Sequence, residues 1–173
     1  MKTILPLFFF LFSISILKAQ NPEWITYSSS NSGLPSNIVR SIAIDGSGNK
    51  WIGTDKGLAK FDGTSWTVYK NMVPMYVSND YDNIEIEGSG TIWMSVGGLL
   101  AKFDGKNWVG YPTETLGVLY SSVTGIAFDG SGNKWIGTTT GGLAKYDGTN
   151  WTWYNISNSN IPKNYVQSVA IDV

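Results

Sequence analysis

The 173 residues contain no histidine and no cysteine, which removes most of the side chains that proteins use for covalent or metal chemistry. A Ser–His or Cys–His nucleophile pair cannot be assembled. Thiolate zinc sites and disulfides are excluded as well. What remains is carboxylates. Asp45-Gly46-Ser47-Gly48-Asn49 sets oxygen-bearing side chains at alternate positions, as a calcium loop does. An EF-hand needs glycine sixth and glutamate twelfth, and here those places hold Lys50 and Lys56. A hairpin turn fits the segment better. Asp62, Asp104 and Asp147 each precede a glycine in the same local context. Turn chemistry explains them, and their even spacing keeps them from converging on one substrate. Glu85 and Glu87 lie two apart on a predicted strand and so share a face, as a solvated or channel-facing edge would. No catalytic residue, metal ligand or cofactor is expected.

Tryptophan is the other conspicuous residue, and its spacing organises the chain. Trp51, Trp93 and Trp135 mark one column at a step of about 42 residues, and Trp24, Trp66, Trp108 and Trp151 mark a second. Trp153 stands outside both. The segment from Ile42 to Tyr69 returns from Ile126 with about 22 of 28 aligned positions identical and one glycine inserted. A worn copy begins at Ile84. Sugar stacking is one use for such indoles, but a column present in every unit reads first as core that fills the gap between units.

Each unit reads as four short strands, in the first copy Val39 to Asp45, Lys50 to Thr54, Leu58 to Phe61 and Trp66 to Tyr69. Asp-Gly turns join the first to the second and the third to the fourth. One such meander cannot bury both faces, whereas stacked copies can. The fold class is therefore all-β: β-propeller blades, four-stranded antiparallel meanders on a repeat of about 42 residues, forming an incomplete propeller. The expected layout is a lone strand at 24–27, blades at about 37–69, 79–111 and 121–154, and the start of a further blade at 164–173.

The run V-x-x-I-x-x-D-x-x-G-x-x-W-I-G-T, followed by G-L-x-x-F/Y-D-G, resembles the two-component regulator propeller repeat. The first and third copies carry it closely. In the middle copy Glu87 replaces the strand-end aspartate, and Ser95-Val96 replace Gly-Thr. The resemblance implies the periplasmic sensor region of a bacterial hybrid two-component regulator, or a stand-alone exported propeller. WD40 and kelch repeats fit less well, since the chain has no Trp-Asp pair and the period is too short for kelch.

Antiparallel pairing puts the turns between first and second strands, and between third and fourth, at one end of every blade. That end is nearly invariant along the chain. The opposite end varies, with Asp55-Lys56, Gly97-Gly98 and Thr139-Thr140 at successive second-to-third turns. Loops on a rigid scaffold are the usual home of binding residues. Just inside the first strands runs the column Arg40, Asp82, Thr124, Gln167, polar in each copy and different in each. These four, with Asp55 and Lys56, are the candidate ligand-binding residues. Trp51, Trp93, Trp135, Trp66, Trp108 and Trp151 are assigned to the repeat core.

Met1-Lys2, the apolar run Ile4 to Leu17 and Lys18-Ala19-Gln20 have the layout of a secretory signal peptide at 1–19. The run of about 14 apolar residues falls short of the roughly 20 that span a bilayer. Export to the periplasm or beyond is expected, with 20–173 as the partial propeller. The formal charge of −1 and the lack of a basic run argue against nucleic acid, and against membrane once the signal is cleaved. The expected role is a non-catalytic sensor or interaction module for an extracellular small molecule, glycan or protein. A structural scaffold without ligand is the rival, and a propeller lyase a distant third. Open blade edges would favour self-association.

Overall fold

The computed structural model describes residues 24–70, 80–111 and 121–172. Within them lie twelve strands. The first sheet holds β1 (Val39–Ile44), β2 (Lys50–Thr54), β3 (Gly57–Phe61) and β4 (Trp66–Tyr69). The second holds β5 (Tyr81–Ile86), β6 (Ile92–Val96), β7 (Leu99–Phe103) and β8 (Trp108–Tyr111). The third holds β9 (Val123–Phe128), β10 (Lys134–Thr138), β11 (Leu143–Tyr146) and β12 (Trp151–Tyr154). All pairing is antiparallel and sequential. These are three blades of an incomplete β-propeller, with strand limits within a residue or so of those read from the sequence. Consecutive first strands pack together, β1 on β5 and β5 on β9. The first strand is thus the inner one.

The turn between first and second strands repeats one device. Gly48 donates its N–H to the Asp45 carbonyl at 2.9 Å, and Gly132 does the same to Asp129 at 2.8 Å. Both glycines have φ near +80°, a conformation other residues adopt only with strain. The aspartate carboxylate accepts from the amides two and four residues on and from the Asn49 or Asn133 side chain. It also accepts from the indole of the following tryptophan, Trp51 at 3.0 Å and Trp135 at 2.9 Å. One carboxylate therefore caps a turn and fixes the orientation of a core indole.

That indole fills the next seam. Trp51 and Leu58 of the first blade form one core with Tyr81, Ile84, Ile92 and Met94 of the second. Trp93 and Leu100 of the second blade pack with Val123, Ile126 and Ile136 of the third. Trp51 is 6% exposed and Trp93 1%. The second column, Trp66, Trp108 and Trp151, stacks on Phe61, Phe103 and Tyr146 at 4.6, 4.4 and 4.6 Å.

The lone segments at 24–27 and 164–172 form no ladder among the described residues. They nevertheless occupy blade-like positions. Tyr27 packs on Phe61 and Trp66, at 5.4 and 5.5 Å, much as Tyr69 packs on Phe103 at 5.4 Å. Val166 donates its N–H to the Thr138 carbonyl at 3.0 Å. The signal sequence expected at 1–19 lies outside the described residues.

Candidate functional site

The variable end of the blades brings together part of the predicted column. Arg40, near the start of β1, reaches across the first seam to Asp80 (Nη2–Oδ1 3.1 Å) and to Asp82 on β5 (Nε–Oδ1 3.9 Å). All three side chains are about a third exposed. Burial pushes the Asp82 carboxyl up. Arg40 draws it down, Asp80 pushes it up again, and the balance lies above the ordinary carboxylate range. One guanidinium thus faces two carboxylates, an arrangement able to exchange hydrogen bonds with a hydroxyl-rich or charged ligand. Asp80 was not singled out from sequence. It lies where the loop enters β5, outside the repeat register that exposed the column.

The rest of the column is not gathered there. The Thr124 hydroxyl donates to the Val166 carbonyl and is committed to holding the C-terminal segment. Gln167 is exposed and makes no described contact with Arg40 or Asp82. Lys56 is exposed in the β2–β3 turn. Asp55 beside it is half-buried, and its Oδ1 is enclosed without a hydrogen-bond partner.

The middle blade shows how its departures from the repeat are absorbed. Glu87 takes over the turn aspartate's task and accepts from the Trp93 indole at 3.3 Å. Being one methylene longer, it also reaches Lys134 of the third blade, Nζ–Oε1 2.6 Å. Burial raises the Glu87 carboxyl, but hydrogen bonds from Lys134 and Trp93 and the charge of Lys134 and Lys102 bring it below its usual range. Ser95 stands where the other blades have Gly53 and Gly137, and its buried hydroxyl accepts from Asn83 at 3.2 Å. Asn83 also reaches the Val123 carbonyl at 3.4 Å. At the equivalent place in the first blade the Ser41 hydroxyl accepts from the Ile84 N–H at 3.0 Å. This column stitches consecutive inner strands, so it is architecture.

The aspartates considered as acids are likewise occupied. Asp62 and Asp104 accept amide hydrogen bonds from the residues two and three ahead, which hold each carboxyl at about 2. Glu85 lies on β5, its carboxyl raised by partial desolvation, and Glu87 lies beyond the strand, held by its own partners. No cluster of three metal-binding side chains occurs among the described residues. No described helix is long and apolar enough to cross a membrane.

A stack of propeller blades with a polar inner rim is the class this geometry defines. Residues 33–56 match the family described as two component regulator propeller, the repeat whose resemblance the sequence carries through all three copies. No match is found among curated proteins. Among solved structures, the extracellular domain of the hybrid two component system BT3049 from B. thetaiotaomicron is similar over 82% of this chain, at 27% identity and TM-score 0.67. That of BT4673 from the same organism is similar over 84%, at 21% identity and TM-score 0.68. In each case the chain spans 20% of the larger structure. PorZ, a surface component of the type-IX secretion system of Porphyromonas gingivalis, shares the fold over 80% of this chain and 24% of its own, at 18% identity and TM-score 0.59.

Proposed function

We propose that this chain is an exported, non-catalytic propeller segment of the two-component sensor kind, which binds an extracellular ligand at the variable end of its blades. The family match and the likeness to extracellular sensor domains support the setting. The Arg40–Asp80–Asp82 cluster carries the binding assignment. It is charged, partly exposed and bridges two blades, and the repeat architecture requires none of its members. Loops on a rigid frame favour such a site. A guanidinium flanked by carboxylates suits a polyhydroxylated ligand, since Arg donates in a planar fork while the carboxylates accept from hydroxyls. A glycan is the ligand class that follows.

The test is a thermal-shift and calorimetric screen of oligosaccharides against the chain and its Arg40→Ala and Asp82→Asn variants. A sugar that stabilises the wild type, and loses about tenfold or more in affinity with either variant, supports the reading. If no member of a broad panel binds, or if binding is indifferent to both substitutions, the ligand site fails. The ligand-free scaffold role would then stand.

A further inference from the structure

The two outer faces of the blade stack differ in kind, and the seams inside the stack show what each is shaped to meet. At the front, Ile42, Lys50, Ile52, Phe61 and Trp66 of the first blade line an apolar groove of about 670 Å³ that Ile25 and Tyr27 of the N-terminal segment also wall. Ile42 is 61% exposed. The positions equivalent to Ile42, Ile52 and Phe61 in the second blade are Ile84, Met94 and Phe103, all buried in the core that Trp51 of the preceding blade enters. At the back of the third blade, Trp135 is only half-buried, unlike Trp51 and Trp93. It is nevertheless held ready, stacked on Tyr154 at 5.7 Å and anchored to Asp129 at 2.9 Å.

The charges match as well. In the seam between the second and third blades, Lys134 of the rear blade meets Glu87 of the forward one at 2.6 Å and lies 5.7 Å from the centre of the Trp93 ring. Lys50 is the repeat equivalent of Lys134, and Asp129 that of Glu87. The open front therefore presents the lysine of this seam, and the open back presents its tryptophan and, one methylene shorter and hydrogen-bonded to Asn133 and Trp135, its acid. The first seam lacks the pairing because Ile92 stands at the lysine position.

We infer that a second copy of this chain docks head to tail, with the back of its third blade on the front of the first and Trp135 entering the groove beside Lys50. Such a contact joins two different surfaces, so it closes into a ring or grows. The segments 24–27 and 166–172 must yield, because they stand in the places of an outer and an inner strand. Neither forms a ladder, and Trp24 is 93% exposed; an entering blade must replace the Tyr27 packing on Phe61 and Trp66 and the hydrogen bonds of Val166 with Thr138 and Thr124.

The experiment is size exclusion with light scattering on the full chain over a wide concentration range, with circular dichroism confirming that each variant is folded. Association is expected for the wild type. Lys50→Glu and Ile42→Asp should each weaken it by about tenfold or more, the cost of like charges or a buried unpaired one. Lys106→Glu, an equal charge reversal in an exposed turn away from both faces, should leave it unchanged. A monomer at every concentration overturns the inference. So does association indifferent to Lys50→Glu and Ile42→Asp, as expected if the apolar N-terminal run were driving it.

Discussion

At the scale of single residues, the turn aspartates and the seam tryptophans act as one unit, and both can be tested. Asp45, Asp62, Asp104 and Asp129 are all held at about 2, against an ordinary 3.8. In Asp45 desolvation opposes the shift and is outweighed by hydrogen bonds from Asn49, Trp51 and Ser47. For Asp129 the side chains of Asn133 and Trp135 contribute most. A carboxylate whose folded pKa is depressed stabilises the fold above its unfolded pKa and loses that contribution as pH falls through the folded value. Melting temperature should therefore fall between pH of about 4 and about 2, and Asp129→Asn should reduce the slope in that window. A melting temperature level across that window would show that these hydrogen bonds do not distinguish folded from unfolded chain. The tryptophans should separate by context. Trp93→Ala removes an enclosed indole and should cost about 3–5 kcal/mol, while Trp135→Ala, half-buried, should cost clearly less by urea denaturation. Equal losses would mean that the seam does not distinguish them.

At the scale of strands and blades, the seams are set by how closely inner strands approach. A Cβ placed on Gly53 would lie 2.1 Å from the Tyr81 carbonyl oxygen, which is backbone and cannot step aside. One on Gly137 would meet chiefly the Val166 Cγ1 at 2.8 Å, the end of a movable side chain. Gly53→Ala should therefore destabilise by about 1–3 kcal/mol and Gly137→Ala by less. Gly46→Ala, with open space around it, should stay within about 0.5 kcal/mol. Chemical denaturation of the three variants checks the order, and a neutral Gly53→Ala would break the proposed seam. The sequence made the elements legible because each blade repeats a turn carboxylate (aspartate in the first and third, Glu87 in the second) and its indole, so hairpin limits and core columns could be read by aligning the chain with itself. It did not show that Glu87 would reach Lys134, or that Ser95 and Asn83 would substitute for a glycine contact. Those are pairings between blades, and a repeat reveals only what is equal in each. Arg40 and Asp82 stood out as a polar column for the same reason, while their partner Asp80 sits in a stretch with no register.

At the scale of the whole molecule, each blade touches only its neighbours, so stability is a sum of blade terms and seam terms. The second blade has a seam on each side. Its β6 is buried along its entire length, whereas β1 of the first blade is exposed at every second residue or more. Among the described residues, the third blade is covered in front by Trp93 and behind by the segment 161–172, held through contacts such as Gly142 N–H to Asn164 carbonyl at 2.8 Å. Local opening follows the number of buried contacts that must be broken. Amide hydrogen exchange, at a concentration where the chain is monomeric, should then be slowest in β6 and β7, faster in β10 and β11, and fastest in β1. Raising the concentration until copies associate should slow β1 and β10 and leave β6 unchanged, because docking covers Ile42 on one face and Trp135 on the other. Uniform exchange across the blades would mean that the stack unfolds as one cooperative body and that the seams are stronger than the blades they join.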